Sequence, residues 1–177
     1  MGRSQQLELG LGATPSAQLA RVTARQATAP ASRGTVTVHI DGASKGNPGL
    51  AAIGVVISQH GHTLREVAEI IGDATNNVAE YNALIVGLET ALELGRPHVR
   101  VFSDSELLVR QVNGEYKVKS PLLAPLFGRV QSLIRRLESF ELTHIDRAAN
   151  AHADKLANQA ITAHFAHAEH KGPKQTG

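Results

Sequence analysis

Four carboxylates stand where a folded chain could bring them together. Asp41 follows the β-branched run VTVHI, Asp104 follows the strand-like stretch HVRVFS at 98–103, and Glu80 and Asp154 open two helical patterns in their first turns. Each has an ordinary use on its own. Asp41-Gly42 can make a turn, and Glu80 can join Asn77 in a capping arrangement. Asp104 can cap a helix, Ser103-x-x-Glu106 has the form of a capping box, and Asp154 can complement a helix dipole. In one pocket they would do something else. Two unit charges about 4 Å apart repel by roughly 4 kcal/mol at an effective dielectric near 20. Summed over four acids, the repulsion reaches on the order of 10 kcal/mol, the size of a domain's whole stability. Protonation or divalent cations must relieve it. An all-oxygen site without thiolate suits Mg²⁺ or Mn²⁺. Two such ions can activate water and stabilise the leaving oxygen of a phosphodiester.

The elements that must position these acids follow from hydrophobic periodicity. Alternation and β-branched residues predict strands over 35–42, 50–58 and 63–71, joined by short links into an antiparallel meander. The period then changes. Val78, Tyr81, Ile85, Leu88 and Leu92 predict a helix over 77–94, ended by Gly95 and Pro97. A strand over 98–103, helices over 105–112 and 121–137, a strand over 138–145 and a helix over 150–166 complete the pattern. Strands joined through helices should run parallel. The expected fold is α/β, a five-stranded mixed sheet of order 3-2-1-4-5 with helices on both faces. In such a sheet the carboxyl ends of parallel strands converge on a crevice at the topological switch point. Asp41 and Asp104 should flank it, with Glu80 and Asp154 brought in by their helices.

Composition narrows the function classes. The 177 residues suffice for one domain with a real core. No apolar run reaches the length of a membrane helix, so no membrane partner is expected. There is no cysteine, which excludes disulfides and thiolate metal sites and points to a reducing, cytoplasmic setting. Tryptophan is absent, so base stacking on aromatic platforms is not the expected binding mode. The formal net charge of +2 hides an asymmetry: residues 1–34 carry Arg3, Arg21, Arg25 and Arg33 against Glu8, while residues 35–166 are slightly acidic. Residues 1–34 read as a flexible extension with a short helical pattern at 17–26, residues 35–166 as the folded domain that carries the four acids, and residues 167–177 as a frayed tail.

Four blocks carry a resemblance: DGASKGNPG, TNNVAEYNALIVGLETAL, SDSELLVRQVNGEYKVK and HIDRAANAHADKLANQA. In this order they resemble the ribonuclease H family, type I, nearer its shorter archaeal-like branch. The resemblance implies a metal-dependent endonuclease that hydrolyses the RNA strand of an RNA–DNA hybrid to 5′-phosphate and 3′-hydroxyl ends. It also implies two Mg²⁺ ions, with Mn²⁺ able to substitute. By motif, Asp41 is the carboxylate expected to bridge both ions, with Glu80, Asp104 and Asp154 as companion ligands. Arg147, following the fifth strand, is the candidate for steering the departing phosphate, with His144 and His152 as alternatives and an Arg147–Asp146 ion pair as the structural reading.

The resemblance implies substrate contacts as well. Gly42, Ser44, Lys45 and Asn47 are expected on the hybrid, with the glycines after Asp41 letting the backbone approach the RNA strand and its 2′-hydroxyls in a shallow minor groove. Thr75, Asn76 and Asn77 are expected on the DNA strand and its phosphate. Lys45, Arg110, Lys117, Lys119 and Arg147 form a candidate basic track. Two departures stand out: no basic, tryptophan-bearing handle follows Asp104, and Glu106 stands where some members have a glutamine that touches RNA. The alternatives are a broader A-form nuclease that also cuts double-stranded RNA, a catalytically silent hybrid-binding module, and a DNA resolvase-like nuclease. A monomer is expected.

Overall fold

The computed structural model describes residues 34–169. Its elements are β1 (Val36–Gly46), β2 (Gly49–Gln59), β3 (His62–Ala74), α1 (Asn76–Glu93), β4 (His98–Ser103), α2 (Glu106–Val112), α3 (Leu123–Ile134), β5 (Ser139–His144) and α4 (Ala151–Glu169). A 3₁₀ turn, Arg147–Asn150, leads into α4. The helical pattern at 17–26 and residues 170–177 lie outside the described residues.

The sheet has the expected order, β3-β2-β1-β4-β5. β1 pairs antiparallel with β2 and β2 with β3, while β1–β4 and β4–β5 are parallel. Period-two alternation sets the two faces. Val36, Val38 and Ile40 of β1 and Ile53, Val55 and Ile57 of β2 are fully buried, in one core with Tyr81, Leu84, Ile85 and Leu88 of α1. The opposite face of β2 meets α4. A Cβ on Gly54 would lie 2.0 Å from the Ala153 carbonyl oxygen and 2.8 Å from the Ala157 nitrogen. With helices on both sides, β2 is buried almost throughout, which explains its near-continuous apolar sequence. Among the described residues, no helix is long and apolar enough to cross a membrane.

Two substitutions test this packing in opposite directions. Gly54→Ala forces α4 off the sheet against backbone atoms and should cost about 3 kcal/mol. Gly128→Ala, in α3 with nothing within 4 Å of the new methyl, should add about 1 kcal/mol from helix propensity. Denaturant unfolding of each variant checks both signs.

Several boundaries differ from expectation, each for a physical reason. β1 does not stop at residue 42. It continues through the glycine-rich stretch to Gly46, opposite Gly49, leaving Asn47-Pro48 as a two-residue turn. The continuation needs glycine: Gly46 has φ +98°, and a Cβ on Gly49 would lie 1.9 Å from the Lys45 carbonyl oxygen. β3 likewise runs on to Ala74 because β2 offers partners that far. α3 begins at Leu123 rather than residue 121. Pro125 lacks an N–H and is tolerated only in a first turn, where it now falls. α4 extends past residue 166 to Glu169, and Asn150 belongs to the 3₁₀ turn rather than to the helix.

Candidate active site

The cleft arises where two strands part. Parallel pairing of β1 with β4 ends at His39↔Phe102, while β1 stays bonded to β2 as far as Gly46. Asp41 and Asp104 lie just beyond that last shared rung. Asp104 is not a helix cap. Ser105 caps α2, accepting from the Leu108 N–H at 3.4 Å, and Ser103 Oγ accepts from the Ser105 N–H at 3.1 Å. The suggested capping box fails as well, because Glu106 binds Arg110 at 2.8 Å instead. Asp104 is thereby left for the cleft.

Glu80 arrives by close helix–strand contact. Thr75 caps α1, with Oγ1 accepting from the Val78 N–H at 3.3 Å, so Glu80 falls in the second turn and not the first. It takes no part in capping. Gly42 lets the helix sit directly on β1: a Cβ there would lie 2.2 Å from the Glu80 nitrogen. The Gly42 N–H in turn donates to the Glu80 carboxylate.

Asp41, Glu80 and Asp104 each offer a carboxylate oxygen, and these oxygens lie within 4.8 Å of one another. Asp41 is 5% exposed and Glu80 4%. The group opens onto a cavity of about 370 Å³ that Gly42, Ser44, Asn76 and Arg147 also line. Glu80 Oε2 is buried without a hydrogen-bond partner. Burial pushes Asp41 up to about 7, with Asp104 and Asp154 adding to the rise and Arg147 opposing it. Glu80 is raised well above the usual carboxylate range, first by burial and then by Asp41 and Asp104, against the Gly42 N–H and Arg147. Clustered oxygens, one of them orphaned, with too little positive charge nearby, match the donor set of a hard divalent cation.

Asp154 stands slightly apart. It lies near enough to raise Asp41, yet its Oδ1 accepts from Arg147 at 2.5 Å. The structure thus gathers three of the four expected acids tightly and turns the fourth toward Arg147. That pairing replaces the suggested Arg147–Asp146 pair. His152 binds Glu66 at 2.9 Å, and His144 is exposed at the end of β5.

The raised acid sets a pH dependence. An acid whose folded pKa is raised favours the fold below its ordinary value, and that contribution is lost as pH rises through the folded value. For Asp41 the window runs from about 4 to about 7 and is worth on the order of 4 kcal/mol. In EDTA the melting temperature should therefore fall between about pH 5 and pH 8. Mg²⁺ should stabilise more at the higher pH. Calorimetry at both pH values, with and without Mg²⁺, checks this; an EDTA profile independent of pH counts against it.

The expected substrate residues divide between two depressions. Gly42, Ser44 and Asn76 line the acidic cavity. Asn47, Thr75 and Asn77 line a second one of about 360 Å³, together with Lys117 and Lys119. Asn47 Oδ1 accepts from the Asn76 N–H at 3.2 Å, tying the β1–β2 turn to the start of α1. The basic track is narrower than expected. Arg110 is held by Glu106 at 2.8 Å and Glu115 at 3.3 Å and lies over the Tyr116 ring. Lys45 lies 5.6 Å from the centre of the Phe165 ring. Arg110 also balances the charge of Glu106, easing the repulsion of phosphate expected there.

One residue escaped the sequence reading. Asn150 is 1% exposed and donates from Nδ2 to Asp104 Oδ1 and to the Ile40 carbonyl oxygen, both at 2.8 Å. A neutral amide outside any periodic pattern leaves little trace in sequence. Its one signal is a place four residues, about one helical turn, ahead of Asp154.

Comparison with known proteins identifies the family. The reverse transcriptase-like family model matches residues 39–160. The bifunctional protein Rv2228c of Mycobacterium tuberculosis is 43% identical over 130 residues, covering 72% of this chain and 36% of that protein. Ribonuclease HI of Halobacterium salinarum is 41% identical over 129 residues, covering 72% of this chain and 65% of that one. The chain thus spans about a third of the mycobacterial relative and just under two thirds of the halobacterial one. Among solved structures, LC11-RNase H1 in complex with an RNA/DNA hybrid is 43% identical with a TM-score of 0.70, covering 73% of this chain and 99% of that one. RNase H1 of Halobacterium salinarum superposes with a TM-score of 0.72 at 40% identity, over 73% of this chain and 99% of that one. By family model, sequence identity and fold together, the chain belongs to the ribonuclease H family, type I.

Proposed function

We propose that this protein is a metal-dependent endonuclease that hydrolyses the RNA strand of RNA–DNA hybrids, leaving 5′-phosphate and 3′-hydroxyl ends. The observation that carries the reading is the convergence of Asp41, Glu80 and Asp104, with Glu80 Oε2 left unpartnered in the interior. An inert binding module would have no use for that repulsion. The hybrid as substrate is supported by the related LC11 enzyme, which was solved with one.

In this reading Asp41, Glu80, Asp104 and Asp154 hold two Mg²⁺ ions, with Mn²⁺ able to substitute. Bound there, such ions lower the pKa of the attacking water and stabilise charge on the leaving oxygen. The chain's own residues position the substrate. Gly42 and Ser44 present a thin edge of β1 to the ribose hydroxyls, which separate RNA from DNA. Lys45 and Asn47 extend that edge along the RNA strand. Thr75, Asn76 and Asn77 offer a helix start and neutral donors to a phosphate of the DNA strand, beside Lys117 and Lys119. Arg147, exposed and paired with Asp154, guides the phosphate product outward.

The same reading takes residues 35–166 as the catalytic unit, a monomer in the cytoplasm, with residues 1–34 dispensable for chemistry. The test is an assay of labelled RNA within an RNA–DNA duplex. Nicking should appear with Mg²⁺ or Mn²⁺, leave single-stranded RNA and duplex DNA intact, and survive deletion of residues 1–34. Hydrolysis that persists in excess EDTA would overturn the metal dependence. Equal cutting of double-stranded RNA would make the protein a broader A-form nuclease.

A further inference from the structure

We propose that Asn150 is a positioning residue that sets Asp104 against Asp41 for cation binding, by bridging β1 and β4 where their own hydrogen bonding has ended; this rests on the cation-site reading above. The last backbone pair between these strands is His39↔Phe102. The next acceptor on β1 is the Ile40 carbonyl, immediately before Asp41. Asn150 Nδ2 donates to that carbonyl and to Asp104 Oδ1, both at 2.8 Å. A single amide therefore supplies a rung that the backbones do not make, and its two hydrogens serve one acceptor on each side. Both partners are acceptors, which fixes the amide with nitrogen toward them.

The consequence falls on Asp104. Both Asp41 and Glu80 feel its charge, so repulsion drives Asp104 away from them and toward solvent. A charge-assisted bond from a buried donor holds it in place. That bond engages one oxygen and leaves the other for a cation. The position is also poorly explained by packing alone. Asn150 Oδ1 is buried with no partner, a cost that an apolar residue would avoid. Aspartate there would have no donor and would add a further repelling charge beside Asp41, Glu80 and Asp104. Serine has one hydrogen where two acceptors need serving. Asn150 also sits one helical turn ahead of Asp154, so the same segment fixes two of the acids.

Calorimetric titration of the full-length protein with Mn²⁺ tests this. Asn150→Ala should bind Mn²⁺ at least about tenfold more weakly than wild type. Its KM for hybrid at saturating Mn²⁺ should stay within about twofold, because the strand contacts lie elsewhere. Val130→Ala, a buried substitution in α3, serves as a destabilised control and should keep wild-type Mn²⁺ affinity. Unchanged affinity in Asn150→Ala, or an equal loss in Val130→Ala, would overturn the positioning role. Failure of the wild type to bind Mn²⁺, or full binding by Asp41→Asn, would instead bring down the cation-site reading. A second measurement needs no variant. By NMR, the Asn150 side-chain amide protons of the wild type should exchange slowly and shift on adding Mg²⁺. Exchange as fast as that of exposed Asn77, or no shift, would overturn the proposal even if Asn150→Ala does not fold.

Discussion

Asp41→Asn should abolish hydrolysis of the hybrid, by roughly a thousandfold or more, while making the metal-free protein more stable at alkaline pH. The two effects share one cause. Asp41 is buried beside Asp104 and within reach of Asp154, and its carboxyl is pushed up to about 7. Above that pH the charge is held in the fold against burial and repulsion, costing on the order of 4 kcal/mol relative to the unfolded chain. Asparagine keeps the shape and removes the charge. In EDTA near pH 8 the variant should melt several degrees above the wild type. Mg²⁺ should then stabilise the wild type and leave the variant nearly unmoved. Matched melting curves and a nicking assay give both readings from one preparation. A variant that stayed near full activity, or melted lower than wild type in EDTA, would show that Asp41 is not the acid strained for cation binding.

Gly42→Ala is the next largest expected effect, and it acts through geometry rather than charge. The new methyl would lie 2.2 Å from the Glu80 nitrogen and 2.4 Å from the Ala79 carbonyl carbon. Both atoms are backbone, so no side chain can turn aside and α1 must shift along its whole first half. A displacement of about 1 Å at Glu80 is enough to cost about a hundredfold in rate. Stability should fall by about 3 kcal/mol from overpacking. Gly87→Ala, further along the same helix, meets only side-chain atoms at 3.1 Å or more. It should lose much less of both. Comparing kcat at saturating substrate with unfolding midpoints separates the two effects. Equal losses in the two variants would mean that the Gly42 contact has no special bearing on the site.

The sheet was legible because its signals are local and mutually consistent. Alternation in β1, the apolar run of β2 and the helical spacing of Val78, Tyr81, Ile85 and Leu88 each name an element, and short links then leave few topologies. The three tightly gathered acids were legible for a related reason: the topology carries each to the cleft, Asp41 and Asp104 just beyond the last β1–β4 pair and Glu80 in the first half of α1. What the sequence hid depends on partners distant in the chain. β1 continues past Asp41 because β2 pairs with it, and no local propensity in GASKG announces that. Glu80 was assigned one turn too early because Thr75, rather than a later residue, takes the cap. Arg110 looked free for substrate, and only the folded chain brings Glu115 and Tyr116 around it. Asn150 was hidden most completely. Its role depends on a carbonyl 110 residues away in sequence and on an acid 46 away.

The central claim is that Asp41, Glu80 and Asp104 form a seat for divalent cations. A crystal grown with Mn²⁺ and measured at the manganese absorption edge tests it most directly. The account predicts anomalous density between the three carboxylates, with Glu80 Oε2 no longer without a partner. A protein that nicks hybrid in Mn²⁺ yet binds its manganese away from these three side chains would contradict it.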